Sequence, residues 1–128
     1  DYLGSGNYWN NEAQVEGFMY GMHSQLRGNY NMFYCLGELR GGTQRVGSSS
    51  QNTSLDYAIL RTNTLSQDNP GFTNWFGLYS PIMQVNHFIQ KVENECAFLS
   101  EADRKTYLGQ AYGLRALYYF IKLMVVYL

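Results

Sequence analysis

The sequence predicts an all-α fold in which two long helices pair antiparallel, set off from an earlier helix by a long irregular aromatic and glycine-rich loop. Three observations lead there. Apolar residues recur at alternating three- and four-residue steps from Trp75 to Cys96, and again from Tyr107 to Leu128, the spacing of one helical face. Only Ala97-Phe98-Leu99 and a capping signal separate the two patterns, too short a connection for anything but an antiparallel return. Between residues 28 and 72 the chain is punctuated by Gly37, Gly41-Gly42, Gly47-Ser48-Ser49-Ser50 and Asn69-Pro70-Gly71, which break helices and mark surface loops. The whole chain, 1–128, reads as one helical unit: a helix over 10–27, a loop-rich stretch over 28–72, and paired helices over 73–96 and 100–128.

The first helix is expected from Asn11 to Arg27, with Ala13, Phe18, Met19, Met22 and Leu26 falling mostly on one face. Glu12 and Glu16 suit the positive end of the helix dipole, and Gly28-Asn29 is a stop signal. Gly17 and Gly21, four residues apart, would let a second helix approach closely. After the loop, where Thr53 to Thr64 has the composition of a short helix or turn, Thr73 or Asn74 is the expected cap of the next helix. Its seam is Trp75, Leu78, Ile82, Val85, Ile89, Val92 and Cys96. Pro81 lies about two turns inside that span, where its missing amide and ring clash predict a kink or an earlier boundary, and a bent helix is expected. The last helix begins at Ser100, which with Asp103 forms an S-x-x-D capping signal. Its seam is Tyr107, Ala111, Leu114, Tyr118, Ile121, Val125 and Leu128, with Gly109, Gly113 and Ala116 as further small residues for close packing.

Composition removes several function classes. The 128 residues carry 9 basic and 10 acidic side chains for a net charge of -1 with no long run of either sign, so no phosphate-tracking surface and no nucleic-acid partner are expected. Cys35 and Cys96 show no Cys-x-x-Cys spacing and read as buried thiols rather than metal or redox ligands. His23 and His87 have no second ligand one turn away, and no nucleophile elbow or phosphate-binding glycine loop is present, so neither metal nor cofactor is expected. Glu93 and Glu95 lie on different faces of a helix and read as solvated, and the chain reads as a non-enzyme. Asn52-Thr53-Ser54 matches a glycosylation sequon but is also ordinary loop composition. Arg115 and Lys122 interrupt the apolar run at the end, which falls short of the roughly 20 apolar residues of a membrane span. With a polar start and an uncapped finish at Leu123-Met124-Val125-Val126-Tyr127-Leu128, the chain is expected to be a piece of something longer.

Two segments carry a family resemblance. Gly109-Gln110-Ala111-Tyr112-Gly113-Leu114-Arg115-Ala116-Leu117-Tyr118-Tyr119-Phe120 resembles the G-E-A-x-x-L-R-A-x-x-Y-F segment of the SusD/RagB-like outer-membrane lipoproteins, with Gln110 in place of the usual Glu. Trp75, Tyr79, Ile82, Asn86 and Ile89 resemble the W-x-x-x-Y-x-x-I-x-x-x-N-x-x-I helix that precedes it in that family. The likeness covers Phe72 to Leu128, and Glu12 to Tyr20 is similar only to the family's opening amphipathic helix. It implies a tetratricopeptide-like scaffold, here a SusD-like fragment. Its setting would be the outer-membrane surface of a Bacteroidetes-type bacterium, held by a lipid anchor only. There such a protein hands an oligosaccharide or peptide ligand to a SusC-like TonB-dependent transporter.

Within the motif, Leu114, Ala116 and Phe120 read as core, Arg115 as partner of a carboxylate or helix end, and Asn86 as a buried amide bonded to the neighbouring helix. The ligand candidates come instead from loop composition. Sugars need flat aromatic faces and planar polar groups, and Tyr30, Tyr34, Glu38, Arg40, Arg45, Asn52, Asp56 and Tyr57 supply both. The other reading is a tetratricopeptide-like scaffold that binds a protein partner through its helical groove. The long loop favours nutrient binding, because a plain repeat array has no need of it.

Because the Tyr118 to Leu128 face would lack helices to pack against, this chain by itself is expected to associate in solution. Concentration-dependent sedimentation is the expected result, and a monodisperse, cooperatively melting monomer would contradict it.

Overall fold

The computed structural model describes residues 8–34, 37, 38, 41, 43 and 75–126, with the side chains of residues 75, 76, 125 and 126 outside that set. The described residues are mostly helical and contain no strand. Helix α1 spans Glu12–Gly28, a short α2 spans Tyr30–Tyr34, a 3-10 turn at Trp75–Leu78 leads into α3, Tyr79–Asn94, and α4 spans Glu101–Val126.

Helix α1 starts where the Asn11 side chain accepts from the Gln14 amide at 3.0 Å, satisfying one of the first-turn donors that have no intrahelical acceptor. Its buried face is Val15, Met19 and Met22, with Phe18 and Leu26 half-buried against the same core. Two expectations change here. Ala13 is exposed, and Val15, which completes the 15-19-22-26 row, is fully buried. Gly17 and Gly21 also point to open space, with nothing within 4 Å of a Cβ placed on either, so they mediate no close helix approach. Gly28 is still helical, and Asn29 ends α1 by donating from Nδ2 to the Gln25 carbonyl at 3.1 Å. The chain then turns directly into α2, a helix inside the stretch read as loop, whose Met32 and Phe33 pack half-buried on the core.

Ahead of α1, residues 8–10 fold back across the core. Tyr8 donates its hydroxyl to the Gln14 carbonyl at 3.0 Å, and the Asn10 amide donates to Gln14 Oε1 at 2.7 Å. Between them Trp9 is buried with φ of 73°, a left-handed conformation that disfavours a bulky residue. Aromatic packing offsets that strain: the indole meets Phe18 at 5.0 Å and Phe88 at 5.9 Å between ring centroids, with His87 beside it at 5.8 Å.

Helix α3 starts later than the apolar pattern suggests. Its cap position is Leu78, which makes no side-chain cap, while Thr73 and Asn74 lie outside the described residues. Pro81 consequently falls in the first turn, where its missing amide leaves no intrahelical bond unmade, so the expected bend is replaced by the 3-10 turn before Tyr79. The seam buries Leu78, Ile82, Val85, Ile89, Val92 and Cys96 as expected, together with Phe88, which the three-four reading passed over. Cys96 is a free buried thiol, and burial pushes its pKa up; Cys35 lies outside the described residues.

The corner between α3 and α4 is built from polar groups. Ser100 and Asp103 cap α4 reciprocally: the Asp103 amide donates to Ser100 Oγ at 3.1 Å, and the Ser100 hydroxyl donates back to the Asp103 carboxylate. Arg104 reaches back from the first turn of α4 and donates to the carbonyls of Val92 and Cys96, the latter at 2.7 Å. Val92 lies in the last turn of α3, where carbonyls lack intrahelical amide partners and the dipole favours a cation, and the Cys96 carbonyl just past its end also accepts from the Leu99 amide at 3.2 Å. Helix α4 then returns along α3, burying Ala111, Leu114, Tyr118 and Ile121. Its direction is plain from the pairs across the hairpin, Tyr112 with Glu93, Arg115 with Asn86 and Lys122 with Tyr79. Helix α1 lies on the same pair, where Tyr107 donates to Glu12 at 3.3 Å and His23 Nε2 sits 3.2 Å from Gln110 Oε1.

The small residues of α4 behave unlike the expectation. Ala111 is in the seam, but Ala116 is exposed and nothing lies within 4 Å of a Cβ on Gly109 or Gly113. Phe120, expected in the core, is 59% exposed. Tyr118 is fully buried, and among the described residues its hydroxyl has no hydrogen-bond partner. Burial raises the pKa of that phenol.

Gly113→Ala should therefore raise stability by about 0.5–1 kcal/mol through backbone entropy alone, whereas Phe88→Ala should cost about 3–5 kcal/mol, both read from urea melts. Tyr118→Phe removes an unsatisfied buried hydroxyl and should raise stability by about 1 kcal/mol at neutral pH. Because the native phenol pKa is raised, the stability from keeping Tyr118 neutral is intact below about pH 10 and is lost as pH climbs from there toward the native value. Alkaline melts of Tyr118→Phe should accordingly fall off less steeply than those of the parent.

Candidate functional site

Of the residues chosen from the loop, Tyr30 and Tyr34 sit one turn apart on α2, the first 69% exposed and the second half-buried. Glu38 is exposed, and both its carbonyl, at 3.0 Å, and its carboxylate, at 2.5 Å, accept from the Thr43 hydroxyl. Arg40, Arg45, Asn52, Asp56 and Tyr57 lie outside the described residues, as do the sequon and the Thr53 to Thr64 segment. The structure thus places Tyr30 with Tyr34 on one element and gives Glu38 a local partner of its own.

A denser constellation lies on the α3–α4 hairpin, on residues that sequence reasoning assigned to structure. Tyr112 projects from α4 and donates its hydroxyl to Glu93 Oε1 on α3 at 2.6 Å. That bond to a carboxylate holds the phenol proton and raises its pKa. One turn on, the Arg115 guanidinium lies over the Tyr112 ring, 4.9 Å from its centroid, and donates from Nη1 to Asn86 Oδ1 at 3.2 Å. Further along, Lys122 Nζ lies 4.3 Å from the centre of the Tyr79 ring, donates to its hydroxyl at 3.1 Å, and passes 5.9 Å from Tyr119. Both earlier readings of this pair need correction. Asn86 is exposed rather than buried, and the partner of Arg115 is an amide oxygen and an aromatic face rather than a carboxylate or helix end.

The stripe alternates aromatic rings with charged and amide groups because residues 112, 115, 119 and 122 follow a three-four rhythm of their own, displaced from the buried seam. That second rhythm was present in the sequence. It was masked because its tyrosines count as apolar beside a seam that itself holds Tyr118, and only the side of α4 that α3 occupies tells the two rows apart. Glu95 is on another face, accepting from Lys91 at 2.6 Å. Among the described residues no group of His, Cys, Asp and Glu could hold a metal ion, and no helix is long and apolar enough to cross a membrane.

Comparison with known proteins returned no matching family model, no matching curated protein and no matching solved structure.

A double-mutant cycle on Arg115→Ala and Asn86→Ala should return a coupling of about 0.5–1 kcal/mol in thermal melts, the size expected of an exposed charge-assisted hydrogen bond. Additive effects of the two changes would dissolve the pair.

Proposed function

We propose that this chain is the helical N-terminal part of a SusD/RagB-like protein that binds glycans or other nutrients without chemical turnover. In this reading it works at the outer-membrane surface, lipid-anchored, and delivers its ligand to a SusC-like TonB-dependent transporter. The observation that carries the reading is the Arg115 to Asn86 hydrogen bond at 3.2 Å. Arg115 belongs to the Gly109–Phe120 segment and Asn86 to the Trp75–Ile89 segment, the two stretches on which the resemblance rests. Two motifs meeting side chain to side chain, through residues 29 positions apart, fits a pair that acts as one unit on a tetratricopeptide-like hairpin.

A second reading has its own observation. Leu117, Phe120, Leu123 and Met124 are exposed on α4, outside its buried seam. An apolar helix face of that kind fits a scaffold that packs against protein, and large exposed apolar patches mark such contacts.

Calorimetry of the full chain against a panel of oligosaccharides and short peptides separates the two. Nutrient capture requires saturable binding with the ligand recovered unchanged. Failure to bind any member of the panel would remove that reading in favour of the scaffold, and release of shorter products would remove it in favour of an enzyme.

A further inference from the structure

We propose that residues 8–10 form a releasable strap, whose Trp9 ring sits in an aromatic slot between α1 and α3 and leaves it while the helices stay folded. The device is independent of what the chain binds.

Three observations converge on it. The first is strain. Trp9 holds a φ of 73°, a left-handed conformation that a large side chain keeps only where its surroundings impose it, and such residues concentrate at clamps and switches. The second is how local the imposing contacts are. Among the described residues both hydrogen bonds of the strap end on Gln14: the Tyr8 hydroxyl donates to its backbone carbonyl at 3.0 Å, and the Asn10 amide donates to its Oε1 at 2.7 Å. Neither reaches α3, which the strap meets through ring packing, His87 at 5.8 Å and Phe88 at 5.9 Å from Trp9.

The third observation is that the walls of the slot hold one another. Phe18 of α1 and Phe88 of α3 stack at 5.7 Å between centroids with 20° between their planes, and His87 stands 6.3 Å from Phe18. Val15, Met19 and Met22 of α1 share one core with Val85 and Val92 of α3, so the two helices stay together when the ring departs.

Burial of the indole favours docking, and the strained backbone opposes it. Short segments held by local bonds open at lower free energy than the core beneath them. Docked, Trp9 bridges Phe18 and Phe88 and acts as a clasp on the α1–α3 contact. Released, its φ relaxes and the slot opens beside His87, which is exposed.

Trp75→Phe leaves Trp9 as the one tryptophan of the chain. The test is a urea titration of that variant followed in parallel by tryptophan fluorescence and far-UV circular dichroism. The fluorescence change should come at lower urea than the loss of helix. Coincident transitions would mean that the strap leaves only when the whole chain unfolds, and would overturn the proposal. Labelling the unmutated chain with 5-fluorotryptophan gives Trp9 its own fluorine resonance and the same comparison without Trp75→Phe.

Adding Gln14→Ala removes the acceptor of the Asn10 amide and keeps the carbonyl that Tyr8 uses. It should raise the released fraction about fivefold, the factor one ordinary hydrogen bond is worth. Stronger acrylamide quenching at an unchanged circular-dichroism midpoint is the expected reading, and a common shift of both midpoints counts against the strap. Trp9→Gly tests the slot, since it removes the ring and suits the left-handed backbone. Free indole should raise the melting temperature of that variant saturably and leave the parent, whose slot is filled, unmoved. No rise, or an equal rise in the parent, would show that the slot does not outlast its occupant.

Discussion

Arg104 stands in the first turn of α4, where the helix dipole of its own element disfavours a cation, and spends its guanidinium on the carbonyls of Val92 and Cys96 at the end of α3. The close of one helix is thus satisfied by the opening of the next, while Ser100 and Asp103 satisfy the opening itself. This corner fixes the register of the return. With it in place, Ile82, Val85, Ile89 and Val92 face Ala111, Leu114, Tyr118 and Ile121, and the pairs Glu93 with Tyr112 and Asn86 with Arg115 follow from the same alignment. Helix α1 then has a ready surface to cover, and the Trp9 indole closes the remaining gap beside Phe18 and Phe88.

The hairpin uses two kinds of interaction for two purposes. Burial of aliphatic side chains along the seam supplies most of the stabilisation and carries little directional information. The polar contacts are exposed and individually weak, yet they set which side chains stand next to which on the surface. Tyr118 marks the border between these roles: its ring fills the seam, while its hydroxyl is buried without a partner among the described residues. A phenylalanine would serve the packing as well, so the hydroxyl contributes nothing to the fold as described.

Helix α4 is apolar on more than one side. Its seam is covered by α3, while Phe120, Leu123 and Met124 are exposed outside that seam. Helices apolar all round are ordinarily covered all round.

The sequence by itself determined the three long helices and most of the seam, because a three-four repeat of apolar residues has one low-energy solution when a capping signal starts it and a short connection returns it. It also held the Ser100–Asp103 cap and the Asn11 start, which are local hydrogen bonds between residues three apart. It did not determine which apolar residues would stay outside. Phe120 and Ala116 carry the same hydrophobicity as the seam residues beside them, and their exposure depends on where α3 lies around α4. Composition drew the ligand candidates toward the loop, since polar and aromatic residues mixed with glycine look like a binding loop at any length scale. Only the tertiary structure placed Tyr112, Arg115 and Asn86 together, because the bond between α3 and α4 joins residues 29 positions apart and exists only once the hairpin closes.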